Sequence, residues 1–114
     1  MYNRELLKGT LNTMVLKLLA DHGKMYGYEI AQKVKELSHD KILLKDGSLY
    51  PALHKLMNDG ILSYEEEYIG KRVRKYYYLT SIGKEHQKNS ILELKDFLLT
   101  LASVFEQDLK LTIA

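Results

Sequence analysis

The feature that most constrains the fold of this chain is the segment Asp46–Leu56, whose sequence is DGSLYPALHKL. Its leucines recur at helical spacing, which predicts a helix with one buried face. Ser48 is expected to be the N-cap, because its hydroxyl can accept a free backbone N–H of the first turn. Pro51 would then lie in that first turn, where its missing N–H costs little. The outward side of this predicted helix carries Tyr50, His54, Lys55 and Asn58.

A β-hairpin is predicted directly after this helix, which we expect to end at Gly60. The first strand runs over 61–68, the tip over 69–72 and the second strand over 73–80. Four cations lie at or beside the tip, and they are Lys71, Arg72, Arg74 and Lys75. Such a run indicates a local positive potential, although an ordinary solvated loop can carry the same residues.

Two further helices are predicted ahead of this unit. The first extends from Leu7 to Leu19 and stops before Gly23, and the second covers residues 28–37. The second is expected to bury Ile30, Val34 and Leu37. The apolar run at 42–44 is either a short strand or a linker. Three helices followed by a hairpin is the order of a winged helix-turn-helix, so the predicted fold class is mainly α with a small β-hairpin.

Residues 81–111 form a long helical pattern at the C-terminal end. About 30 residues at about 1.5 Å each would give a helix of roughly 45 Å. Its apolar seam consists of Ile91, Leu94, Leu98, Leu101 and Phe105. A helix of this length needs a packing partner, so we expect a homodimer. The alternative is a helix that folds back on its own domain.

Composition excludes several classes of protein. The chain has 114 residues, 46% of them hydrophobic and 28% charged, which is typical of one globular domain rather than a disordered chain. It has no cysteine, so disulfides and thiol chemistry are excluded. No nucleophile elbow, glycine-rich phosphate loop or metal-ligand spacing is present, so we expect no enzyme, metal or cofactor. Without a signal peptide or an apolar run of membrane length, a cytoplasmic protein is expected.

The local sequences LKGTL at 7–11, YGYEI at 26–30, GSLYPAL at 47–53 and KYYYLT at 75–80, with Gly83, resemble the PadR family of bacterial transcriptional regulators. The length resembles the short subfamily, which has a single C-terminal helix. The resemblance implies a homodimeric winged-helix repressor whose N-terminal and C-terminal helices form the dimer interface. It also implies a site there for a phenolic or other small hydrophobic or aromatic effector.

These observations give a specific set of expectations. Residues 1–80 are expected to form the DNA-binding domain and residues 81–114 the dimerisation helix. The predicted contacts to a palindromic double-stranded operator are Tyr28, Ser48, Tyr50, His54, Lys55, Lys71, Arg72, Arg74 and Lys75. The predicted dimer contacts are Leu7, Leu94, Leu98, Leu101 and Phe105. The predicted walls of the effector pocket are Leu11, Val15, Phe97, Leu101 and Phe105.

Two alternatives remain open at this level. The same fold can bind a protein partner, in which case the cationic wing only confers solubility. A winged-helix regulator of another family, such as a metal-sensing one, is the second alternative, and the absence of clustered ligands in the sequence argues against it.

Overall fold

The computed structural model describes residues 2–113, and the side chains of residues 2–109. The elements in chain order are α1 (Arg4–Lys8), α2 (Leu11–His22), α3 (Gly27–Leu37), α4 (Asp46–Asn58), β1 (Leu62–Ile69), β2 (Arg72–Leu79), α5 (Ser81–Val104) and α6 (Glu106–Ile113). This order confirms the predicted fold class, with α3 and α4 as the helix-turn-helix pair and the hairpin as the wing. The outer ends of the expected domain ranges, Met1 and Ala114, lie outside the described residues.

The hydrophobic core lies between α2, α3, α4 and the base of the hairpin. Its buried side chains are Val15, Leu16, Leu18, Leu19, Met25, Ile30, Val34, Leu49, Leu53, Leu56, Ile61, Leu62, Tyr77 and Leu79. Each helix contributes residues spaced three or four apart, and the strands contribute alternate residues, as the sequence periodicities predict. The core therefore holds α4 against the base of the hairpin.

The first predicted helix is divided into α1 and α2 by Gly9 and Thr10. The Thr10 hydroxyl donates to the Leu7 carbonyl at 3.1 Å, and such local bonds compete with helical ones. Glycine adds a further cost to a continuous helix at this point. The buried stripe consequently begins in α2 rather than at Leu7, which is only half-buried.

The start of α4 differs from the prediction. Lys45 rather than Ser48 is the N-cap. Its carbonyl accepts the N–H groups of Ser48 and Leu49 at 3.0 and 2.9 Å, so Ser48 already lies in the first turn. Asp46 at the first helical position favours this earlier start, since a negative charge is stabilised at a helix N-terminus. Pro51 therefore lies in the second turn, so the predicted positions of both the cap and the proline were wrong.

The end of α3 also differs in one residue. Ile30 and Val34 are buried as predicted, but Leu37 at the last helical position is 63% exposed. The chain turns away there, because the Ser38 hydroxyl accepts the N–H of Ile42 at 2.9 Å and closes the turn. The apolar run that follows is a linker without strand pairing, which resolves the choice left open by the sequence.

The wing is a regular antiparallel hairpin. Its register runs from the pair Leu62 and Leu79 at the base to the pair Ile69 and Arg72 beside the turn. Gly70 in the two-residue turn has φ of 65°, a value that side-chain-bearing residues rarely adopt. The loop before α3 adds a short bridge, in which the backbones of Met25 and Tyr77 exchange hydrogen bonds of 3.0 and 2.8 Å. The hairpin base is thus joined to the helical part by backbone pairing.

Thr80 connects the wing, the end of α4 and the start of α5. Its hydroxyl donates to the Gly60 carbonyl at 2.6 Å and accepts the N–H of Gly83 at 3.0 Å. Gly83 is buried against the backbone carbonyl of Ile61, and a Cβ at this position would overlap that oxygen. The first turn of α5 is therefore held at one place on the domain.

The predicted C-terminal helix is divided into α5 and α6 by a break at Phe105. The Phe105 N–H still donates to the carbonyl of Leu101 at 3.0 Å. The hydroxyls of Thr100 and Ser103 each donate to the carbonyl four residues earlier, a pattern that often bends helices. Neither glycine nor proline marks the break, so the prediction of one continuous helix was wrong here.

Candidate DNA interface

The exposed side of α4 carries the predicted residues Tyr50, His54 and Lys55. The Lys55 ammonium lies 3.3 Å from the carboxylate of Asp59 one turn later. An exposed pair of this kind is weak, so Lys55 can leave it for a DNA phosphate or base at little cost. Ser48 is exposed in the first turn of the same helix.

Tyr50 also lies against the first residue of α3. A Cβ built on Gly27 would lie 2.5 Å from the Tyr50 hydroxyl oxygen and 2.8 Å from Cζ, so only glycine allows the ring this position. Gly27 therefore determines where the Tyr50 hydroxyl is presented. Nothing local in the sequence connects Gly27 with Tyr50, so this role could not be predicted from the sequence.

A cluster of aromatic side chains continues from α3 to the wing. The Tyr26 ring lies 6.4 Å from that of Tyr28 and 5.4 Å from that of Tyr76, the latter in an edge-to-face arrangement. The Arg74 guanidinium carbon lies 4.0 Å from the centroid of Tyr26, and its Nη1 lies 3.5 Å from the Tyr76 hydroxyl. Cation–π contact at this distance holds the guanidinium over the Tyr26 ring.

The register of the hairpin divides the predicted cations between two faces. Directly paired residues share a face and successive residues alternate, so Arg72 and Arg74 lie together while Lys75 lies on the opposite face. The Lys75 ammonium lies 4.8 Å from the centroid of Tyr64 on that second face. Lys71 is in the turn itself. The structure therefore brings two arginines together and separates Lys75 from them.

Acidic residues of β1 lie on the same face as the two arginines. Lys24, in the loop before α3, reaches across the hairpin and contacts Glu65 and Glu67, each at 3.0 Å. Hydrogen bonds to Glu65 and then Glu67 raise the pKa of the Lys24 ammonium above its ordinary value. The spacing of two along β1 puts these two carboxylates on one face of the hairpin.

The candidate interface thus consists of three adjoining parts. The first is the outward face of α4, the second is the tyrosine and arginine cluster beside the start of α3, and the third is the hairpin tip. Tyr50 joins the first part to the second through its contact with Gly27, and Arg74 joins the second to the third. The surface offers hydroxyl donors, aromatic faces and cations, which are the groups that contact phosphates and base edges.

Within the described residues, the open groove beside the N-terminal helices contains only one of the residues predicted to line an effector pocket. Leu11 lines an open groove with Leu7, Leu43 and Leu44. Val15 is fully buried in the core of its own domain, so it cannot form the wall of a surface pocket in this arrangement. The other predicted walls, Phe97, Leu101 and Phe105, lie on the last turns of α5 and at its end.

The predicted dimer contacts on α5 differ in their exposure. α5 packs against α2. Leu94, a predicted dimer contact, and Ile91 of the same apolar seam are half-buried. Leu98 and Phe105, further along the same seam, are 55% and 50% exposed. Leu101, between these two, is half-buried. The alternative of a helix folded back on its own domain therefore accounts for the contact of α5 with α2, but it leaves Leu98 and Phe105 exposed.

Two properties bear on other classes of function. Over residues 2–113, no helix combines the length and the apolar character needed to cross a bilayer. Within the same part of the chain, no three His, Cys, Asp or Glu residues are grouped so that they could hold a metal ion.

Comparison with known proteins gives a consistent assignment. The model of the transcriptional regulator PadR-like family matches residues 15–89. The structure of a PadR-like transcription factor from Bacteroides fragilis is 32% identical, with a TM-score of 0.72, over 88% of this chain and 94% of that one. A PadR family regulator from Eggerthella lenta is 26% identical with a TM-score of 0.77, over 90% of this chain and 87% of that one.

A curated relative supports the same assignment. It is a transcriptional regulator of Mycobacterium tuberculosis that is 32% identical over 81 residues, which is 71% of this chain and 72% of that protein. The family model covers well over half of the chain, including α3, α4 and the whole wing. This chain therefore belongs to the PadR-like family of transcriptional regulators.

Proposed function

We propose that the protein is a cytoplasmic repressor that binds a palindromic DNA operator as a homodimer. The observation that carries this proposal is a run of contacts from the exposed Tyr50 on α4 to the partly exposed Arg74 on the wing. It passes through Gly27 and Tyr26, beside the exposed Tyr28. In this geometry α4 enters the major groove, while the wing cations contact phosphates or the adjacent minor groove. Membership in a family of transcriptional regulators supports the same role.

The dimer is proposed from the second half of α5. Phe97, Leu98, Val104 and Phe105 are each at least half exposed in the single chain. An exposed apolar patch of this kind is typical of a protein–protein interface. We propose that residues 81–114 pair with those of a second copy, with Leu7 of α1 contributing, while residues 1–80 bind DNA. A two-fold dimer would present its two α4 helices to half-sites about 34 Å apart.

An effector is the further part of the proposed mechanism. A small hydrophobic or aromatic molecule would bind between the N-terminal helices of one protomer and the second half of α5 of the other. It would change DNA affinity only if it bound more tightly to one spacing of the two α4 helices than to another. The apolar groove beside Leu11 and the exposed Phe97 and Phe105 support a site between copies.

A winged-helix module that binds only a protein partner is the second candidate. Such a module would use the same exposed tyrosines and the same apolar residues of α5, but it would have little salt-dependent affinity for duplex DNA.

The first experiment measures fluorescence anisotropy of duplex DNA from upstream of the protein's own gene, over a salt series, with random DNA as competitor. Salt-steep binding that random DNA fails to displace supports the repressor. Absence of binding at low salt rejects it in this form.

Replacing Arg72 at the wing tip with alanine should weaken binding to operator and random DNA by similar factors. The expected reason is the loss of one phosphate contact, which lowers the slope of log affinity against log salt by about one unit. The slope is measured for both duplexes by anisotropy. Lys95→Ala, which removes an exposed cation from α5, is the control and should leave the slope unchanged. If the affinity fell for the operator alone, Arg72 would contact a base rather than a phosphate.

Tyr50→Ala should weaken operator binding about tenfold and random binding much less, because base-edge contacts carry about 1–3 kcal/mol of discrimination each. Gly27→Ala should reproduce part of this effect without a substitution in α4, since its methyl group would displace the Tyr50 ring. Competition anisotropy with the two duplexes gives the ratio of affinities. If both variants lose affinity for operator and random DNA by equal factors, Tyr50 contacts the DNA backbone and does not recognise bases.

A further inference from the structure

On the face of the wing that carries Arg74, the charged side chains do not pair as the strand register alone would predict. Arg74 lies directly opposite Glu67 in the antiparallel ladder. Oppositely charged residues at such positions are natural partners. Among the described side chains, however, Arg74 and Glu67 form no ion pair, and Glu67 Oε1 lies 3.0 Å from Lys24 Nζ instead. Lys24 therefore forms the ion pair with Glu67 that Arg74 would otherwise form.

The position of Lys24 follows from the fold. Its neighbour Met25 forms the backbone bridge to Tyr77, which places the Lys24 backbone beside the free edge of β2. From there the side chain crosses the face of β2, with its ammonium 5.6 Å from the centroid of the Tyr76 ring, and reaches both Glu65 and Glu67 on β1. One cation thus spans the hairpin and contacts two carboxylates.

The charge balance at this face explains why such an arrangement matters. Two carboxylates beside an arginine would repel a phosphate and compete with it for the guanidinium. With Lys24 in contact with both, Arg74 instead stacks on Tyr26 at 4.0 Å, and the residue remains partly exposed there. The side chains of Lys24, Glu65 and Glu67 are themselves 44%, 54% and 43% exposed. Each exposed pair contributes little to stability by itself, so the effect of Lys24 here is on the charge beside Arg74 rather than on stability.

We propose that Lys24 is a positioning residue for DNA binding, which holds Glu65 and Glu67 so that Arg74 remains available to a DNA phosphate. Lys24 acts through Arg74 and does not itself contact DNA. This inference rests on the proposed DNA-binding function, and it adds a residue of the loop before α3 to the interface.

The test is a double-mutant cycle measured by anisotropy on operator and random duplexes at one salt concentration. Lys24→Met should weaken binding to both duplexes about fivefold, because Glu67 then pairs with Arg74. In the background Glu65→Gln with Glu67→Gln, the same Lys24→Met change should have an effect of less than about twofold, since no carboxylate remains to capture Arg74. In the background Arg74→Ala it should also have little effect.

Lys17→Met is the matched control, because Lys17 is likewise an exposed lysine paired with a carboxylate, Asp21 at 2.8 Å. It should leave DNA affinity unchanged, and Lys24→Arg should retain affinity close to that of the unaltered protein. Melting temperatures of all variants show whether each one is folded.

Three results would overturn the inference. An effect of Lys24→Met that persists or grows in the glutamine background would mean that Lys24 contacts phosphate directly. If Lys24→Met as a single substitution left DNA affinity unchanged, the contact of Arg74 with DNA would not depend on Lys24. Absence of DNA binding by the unaltered protein would reject the proposed function and this inference together, whereas the first two results leave the proposed function intact.

Discussion

Gly83→Ala is expected to lower the free energy of unfolding by about 3 kcal/mol. Gly83 lies where α5 begins, against the backbone carbonyl of Ile61, and an added methyl group would overlap that oxygen. A flexible side chain could move aside, but this oxygen belongs to the backbone between α4 and β1. The first turn of α5 would have to shift and would weaken the hydrogen bond from the Gly83 N–H to the Thr80 hydroxyl.

Urea unfolding followed by circular dichroism measures this effect. Gly9→Ala is the matched control, because Gly9 has ordinary helical angles and a Cβ there meets no atom within 4 Å. The control should be neutral or slightly stabilising, as alanine loses less backbone entropy on folding. Equal stability of the two variants would show that the start of α5 adjusts freely, in contradiction to the packing described above.

Leu98→Glu together with Phe105→Glu is expected to convert a dimer into monomers and to reduce operator affinity at least about 100-fold. Both side chains are half exposed in the single chain, at 55% and 50%, so the carboxylates should not disturb its own core. Burying them in a dimer interface without partners would be strongly unfavourable. Loss of the second DNA-binding domain then removes the gain from simultaneous binding of two half-sites.

Light scattering coupled to size exclusion gives the oligomeric state, and anisotropy gives the affinity. Leu92→Glu is the control, since Leu92 is also on α5 and is 64% exposed but lies away from the seam. It should leave a dimer that binds the operator normally. Dissociation by Leu92→Glu, with no effect of the first variant, would place the interface on the other side of α5.

Much of the fold was predictable because the periodicities are local and strong. The leucines of α4 predicted its buried face, and with it the exposure of Tyr50, His54 and Lys55. The turn at Gly70 and the alternating residues of the strands predicted the hairpin to within about one residue at each end. In each case neighbouring residues determine the outcome, so the sequence contains the whole signal.

The errors have a common cause in hydrogen bonds that depend on neighbouring geometry. The Ser48 hydroxyl could cap a helix, but the helix begins earlier, because the Lys45 carbonyl accepts the N–H groups of Ser48 and Leu49. Leu37 matches the apolar spacing of α3, but the turn closed by Ser38 leaves it exposed. The break at Phe105 follows two side-chain hydroxyls that bond to the helix backbone. Each outcome is a competition between local bonds of similar strength.

The sequence by itself determined which elements form, which of their faces are apolar and which residues could contact DNA, because spacing of two or of 3.6 residues places a side chain on a face whatever lies beyond it. Only the tertiary structure decided how those faces combine. It brought Gly27 against Tyr50, stacked Arg74 on Tyr26, and joined Lys24 to two glutamates more than 40 residues away. Contacts at such sequence separations depend on packing of the whole core, so no local pattern contains them.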